Sequence, residues 1–97
     1  MLFDEFEWNE HKNQINIKKH KISFQEAETV FDDKEAIFIN DPDYTEPDDD
    51  RFLILGISKQ ENLLVVCHCY RVSDSIIRII SARKATKNEK NLYNDRR

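Results

Sequence analysis

The sequence predicts one α+β domain over residues 1–97, with an antiparallel sheet of four to five strands, two N-terminal helices on one face and a short C-terminal helix. Three observations carry this. Residues 51–58, 63–70 and 76–82 are consecutive runs rich in Ile, Leu and Val, a strand composition. The segments between them, 59–62 and 72–75, are short enough for hairpins, which makes neighbouring strands antiparallel. Helix-start signals stand at Asn9, Ser23 and Thr86, with side chains able to satisfy free N–H groups of a first turn.

In chain order, residues 3–8 alternate loosely, Phe6 and Trp8 on one side, and read as a short strand. Asn9 can cap a helix running to about His20, in which Lys12, Asn16 and Lys19 share one face. Lys21 breaks the pattern before a capping box, Ser23-Phe24-Gln25-Glu26. Phe24, Ala27, Val30 and Phe31 follow at i, i+3, i+6 and i+7, so the second helix is amphipathic and packs on the core. A turn at 32–34 leads to a short strand at 36–40. Residues 41–50 hold two prolines, six acidic side chains and no basic one, a loop too polar to pack. After the three apolar strands, Thr86-Lys87-Asn88-Glu89 is a second capping box, opening a helix through about Tyr93.

Ninety-seven residues suffice for one modest core and are too few for two. No run approaches the ~18 apolar residues of a membrane span, and the acidic, aromatic start is unlike a signal peptide. No membrane association and a cytoplasmic location are expected. Cys67 and Cys69 would share one face of a strand with His68 on the other. They read as buried thiols of a reducing compartment, and no metal or cofactor is expected. The net charge of −4 conceals a division: residues 1–50 carry −10 and residues 51–97 carry +6. Such polarity points to a basic surface fit for phosphates beside an acidic one.

Several segments together resemble a known family. Phe6-Glu7-Trp8, Lys12, Asn16, Lys19-His20, Ile22-Ser23-Phe24, Glu26-Ala27 and Val30-Phe31-Asp32 are similar to the N-terminal signature of the BrnT toxins. The run from Leu63 to Val66, Tyr70-Arg71, the run from Ile77 to Ala85, Glu89 and Tyr93 resemble the C-terminal half of that family. The resemblance implies a RelE-like fold and an endoribonuclease toxin of a type II toxin–antitoxin pair. It implies RNA as substrate and a BrnA-like antitoxin as partner, with a ribbon-helix-helix domain through which alone operator DNA would be bound. One departure is Lys21, where the family usually has glycine; the turn there must avoid positive φ or accept its cost.

Metal-free RNA cleavage requires that the 2′-hydroxyl lose a proton, the phosphorane charge be stabilised and the leaving oxygen gain a proton. Arginine suits the second role through its planar fork, and RelE-like toxins are known for sites of Arg, Lys and Tyr. If residues 59–62 form a four-residue hairpin loop, Arg51 lies opposite Tyr70 and Leu53 opposite His68. If Tyr70 then pairs with Ile76, His68 faces Arg78. Arg51, His68, Tyr70 and Arg78 would share one face, with Arg83 just beyond the strand, and one slip of register would scatter them. Arg51, His68, Arg78 and Arg83 are the catalytic candidates, with Lys12, Lys19, Tyr70, Lys84 and Tyr93 as RNA contacts. Plainer readings stay open: His68 also fits a half-buried histidine satisfied by a backbone carbonyl, and Lys12, Asn16 and Lys19 also fit a solvated helix face. The alternative function is a non-enzymatic RNA- or protein-binding module.

Overall fold

A computed structural model describes residues 5–39, 51–71 and 75–95; the expected acidic loop at 41–50 lies outside the described residues. In chain order they form β1 (Glu5–Glu7), α1 (Glu10–His20), α2 (Phe24–Glu28) running into a 3₁₀ turn (Thr29–Asp32), β2 (Ile37–Ile39), β3 (Phe52–Ile57), β4 (Leu63–Arg71), β5 (Ile76–Lys84) and α3 (Lys87–Asp95).

The sheet has five strands in the order β1-β5-β4-β3-β2. The β2–β3, β3–β4 and β4–β5 pairs are antiparallel, but β1 runs parallel to β5. The expected antiparallel sheet is therefore mixed. No hairpin joins β1 to its partner, so no local turn dictates its direction, and only long-range packing sets it.

Polar side chains hold the first helix in place. Asn9 Oδ1 caps it by accepting from the Lys12 N–H at 3.0 Å. The helix buries Asn13 and Asn16. Asn13 Oδ1 accepts from the Phe24 N–H at 2.8 Å, fixing the start of α2. Asn16 donates to the Ile22 and Ala82 carbonyls at 2.8 and 2.9 Å and accepts from the Ala82 N–H at 3.1 Å. That amide stands in for a neighbouring strand at Ala82, where β5 extends past β1. Between α1 and α2, Lys21 adopts φ 63°. The non-glycine residue thus accepts the left-handed turn, at a cost on the order of 1 kcal/mol.

Phe24, Ala27 and Val30 pack with Ile54, Leu64, Val66, Ile77, Ile79 and Ala82 in one core. A second core joins Leu53, Leu55 and Val65 to Ala85 and Tyr93. β3 is thus buried on both sides, which explains its unbroken apolar run. Gly56, the only glycine of the chain, is where β3 meets the 3₁₀ turn. A Cβ there would stand 2.9 Å from both Ala36 Cβ and Val30 Cγ1. The Ser23 hydroxyl caps α2 as expected. The Glu26 carboxylate, however, accepts from Ser58 at 2.6 Å and Asn62 at 2.7 Å, tying α2 to the β3–β4 hairpin.

Candidate active site on the open sheet face

Strand β5 carries Arg78 and Arg83 five residues apart, an odd spacing that would send them to opposite faces of a regular strand. They do not diverge. Arg78 lies opposite Cys69, and His68 pairs with Ile79, but Cys67 pairs with Ser81 and Val65 with Arg83. One residue, Ile80, is extra: a β-bulge that resets the alternation. Arg78, Ser81 and Arg83 consequently share the face of Cys67, Cys69 and Val65, opposite the face that meets Phe24, Ala27 and Val30.

Carboxylates from two other elements reach these arginines. Glu7 on β1 lies beside Arg78 in the parallel register, and its Oε2 accepts from Arg78 at 2.6 Å while Arg71 Nε stands 3.7 Å away. Glu89 grips Arg83 with both oxygens, at 2.7 and 3.0 Å. It also accepts from the Thr86 N–H at 2.8 Å, while the Glu89 N–H donates to the Thr86 hydroxyl, a complete capping box. The Arg83 guanidinium is the chief reason that the Glu89 carboxyl is held down at about 2. Arg83 is thereby fixed to the first turn of α3, which is anchored in turn by a 2.7 Å bond from Tyr93 Oη to Asp33.

The expected register is corrected in both hairpins. Ile57 pairs with Leu63 and Phe52 with His68, because Glu61 takes φ 66° and Ser58 pairs with Asn62 through a 2.9 Å bond. The loop is therefore three residues with a left-handed last residue, not four, and every side chain beyond it changes face. In the second hairpin Tyr70 pairs with Ile77 rather than Ile76.

His68 and Tyr70 accordingly lie on the face away from Arg78 and Arg83. His68 is fully buried, its Nδ1 3.2 Å from the Val66 carbonyl and its Nε2 3.2 Å from Tyr70 Oη. Phe31, Phe38, Phe52 and Tyr70 ring it at centroid distances of 4.9–6.1 Å. Burial pushes its pKa down, partly offset by the Val66 carbonyl. An enclosed, neutral imidazole is in no position to exchange protons with a substrate on the other face. Tyr93, expected as an RNA contact, is only 2% exposed and belongs to the core. Lys84 pairs with Leu64 and so turns away from Arg83. Arg51 is exposed, one residue ahead of β3, at the same parity as Leu53 and thus of the open face.

Lys12 and Lys19 are exposed on α1 and line a groove of about 240 Å³ with Ile15, Asn16, His20, Ile80 and Ser81. A larger hollow of about 360 Å³ includes Asp32, Asp33 and Glu35, acidic groups ill suited to phosphate. Among the described residues, no three His, Cys, Asp or Glu side chains gather as a metal site would need, and no helix is long and apolar enough to cross a membrane. Sequence reasoning missed Glu7 and Ser81 as members of the face. Glu89 was expected as a cap and as part of the family resemblance, but not as the partner of Arg83.

The sequence profile of the family described as the ribonuclease toxin, BrnT, of type II toxin-antitoxin systems matches residues 8–89. The crystal structure of the ribonuclease toxin BrnT of Brucella abortus superposes with a TM-score of 0.63 at 25% identity, over 86% of this chain and 97% of that one. No curated protein matches.

Proposed function

From the premise that the chain belongs to the BrnT family of ribonuclease toxins of type II toxin–antitoxin systems, we propose that it is a RelE-like endoribonuclease whose open sheet face cleaves RNA without a metal. The observation that carries this reading is the β5 bulge, which turns Arg78 and Arg83 to one face together with Ser81. A guanidinium on a rigid strand can bind the non-bridging oxygens of a phosphate and stabilise the charge of the phosphorane. Arg78 and Arg83, opposite Cys69 and Val65 on one face, can meet successive phosphates along one RNA strand. Arg51 and Arg71 add positive charge at the same parity. Glu7, bonded to Arg78, stands where a carboxylate could take the 2′-hydroxyl proton. Lys12 and Lys19 contact RNA outside the reacting centre.

A type II toxin has an antitoxin partner. We propose a BrnA-like protein that covers the arginine face and binds operator DNA through its ribbon-helix-helix domain. The +6 charge of residues 51–97 would speed its association.

Purified protein should cut RNA in the presence of EDTA, and Arg78→Ala or Arg83→Ala should each lower the rate by about 10²–10³-fold. Arg→Lys should recover only part of it, since a point charge lacks the fork. Cleavage lost in EDTA and restored by magnesium would refute the metal-free mechanism. The second reading, a docking module without turnover, is favoured by the occupancy of Arg78 and Arg83 by Glu7 and Glu89. It predicts RNA retarded in a gel but never cut.

A further inference from the structure

The same bulge that aligns the arginines pushes Ile80 out of the ladder, and Ile80 and Ser81 form one wall of the groove against α1. Ser81 therefore belongs to two surfaces. It lies between Arg78 and Arg83 along β5 on the open face, and it lines the groove with Lys12, Ile15, Lys19 and His20. The groove begins where the arginine face ends.

Its lining is ordered. Lys12 and Lys19 are seven residues apart, so about 10 Å separates them along the helix axis. Ile15, 51% exposed, sits between them, and Ile80 lines the same groove from β5. Asn16, which completes the lining, spends its amide on Ala82 and Ile22 and fixes the distance between the walls. An apolar floor flanked by two cations suits a base lying on Ile15 and Ile80 with a phosphate at each end. We propose that this groove is a subsite for one unstacked nucleotide of single-stranded RNA, which leaves the arginine face by crossing the edge of β5 at the bulge. A volume of about 240 Å³ is too small for a duplex, so bases must be splayed to enter, as single strands allow. This inference rests on the RNA reading of the arginine face, and it adds a strand path, a base-binding floor and a preference for unpaired RNA.

Fluorescence anisotropy tests it with the intact chain and a labelled single-stranded oligonucleotide, fully 2′-O-methylated so that it cannot be cleaved. Lys12→Ala/Lys19→Ala should weaken binding about tenfold or more at low salt. It should also reduce the slope of log affinity against log salt by about 1.4, two phosphate contacts at ~0.7 each. Ile15→Glu, at an exposed position, should weaken binding comparably by placing a carboxylate on the floor. Lys34→Ala/Lys59→Ala, the same charge removed outside the groove, should weaken it less than twofold. Equal losses from the two lysine pairs, or unchanged affinity in both groove variants with melting curves intact, would overturn the subsite. A stronger effect of the groove variants on duplex RNA than on the single strand would overturn it too. Cleavage is scored separately. Groove-dependent binding without cutting by the native chain would refute the endonuclease while leaving the subsite standing.

Discussion

Replacing Glu89 by glutamine tests whether the arginine face is held in place by α3. The carboxyl falls from the usual 4.5 to about 2, chiefly through Arg83. A fall of that size corresponds to at most about 3 kcal/mol. Side-chain exposure is 40% for Arg83 and 17% for Glu89, so solvent screening reduces the expected contribution to about 1–2 kcal/mol. Because the carboxyl is depressed in the folded state, this stability is fully present above pH 4.5 and is lost as pH falls towards about 2. Glu89→Gln should lower the melting temperature at pH 7 by roughly 4–8 °C per kcal/mol lost. The gap between native and variant proteins should close between pH 4.5 and 2. Thermal melts followed by circular dichroism at half-unit pH intervals measure both. A gap of constant size across that window, or none at pH 7, would refute the reasoning. It would mean that Arg83 keeps its orientation without help from α3.

Gly56→Ala should destabilise by about 1–3 kcal/mol in urea titrations, since the new methyl has nowhere to go between Ala36 and Val30 at 2.9 Å each; a neutral result would mean that β3 and the 3₁₀ turn can part freely. Asn16→Ala strips three hydrogen bonds from Ile22 and Ala82, and should cost about 1–3 kcal/mol with faster amide exchange at Ala82. Slow exchange retained there would show that the strand edge is protected by something else. His68 has a lowered pKa through burial, so the protein should lose stability as pH falls from 6.5 through the folded value, and His68→Gln should flatten that slope. A shifted pH profile of RNA cleavage in that variant, with an unchanged melting temperature, would restore His68 to the chemistry.

The residues of the chain determined its elements one by one, because those signals are local. Asn9, Ser23 and Thr86 announce helices whose first N–H groups their side chains satisfy, and the Ile, Leu and Val runs announce strands, of which β3 is buried on both faces. The first helix was legible through its cap rather than its periodicity, since what it buries is Asn13 and Asn16. The segments from Phe6 to Asp32 and from Leu63 to Tyr93 carried the family assignment. Other features depend on partners distant in sequence or on a single backbone angle, and only the tertiary structure decided them. The parallel seat of β1 beside β5 is one, and it brings Glu7 of the acidic half among the arginines of the basic half. The left-handed Glu61 is another: one residue fewer in that loop puts His68 and Tyr70 on the face opposite Arg51, as the shifted β4–β5 register does with respect to Arg78. The bulge at Ile80 is the third. In a pattern with a period of two, one extra residue reverses the direction of every side chain after it, and that reversal sets Arg83 on the face of Arg78.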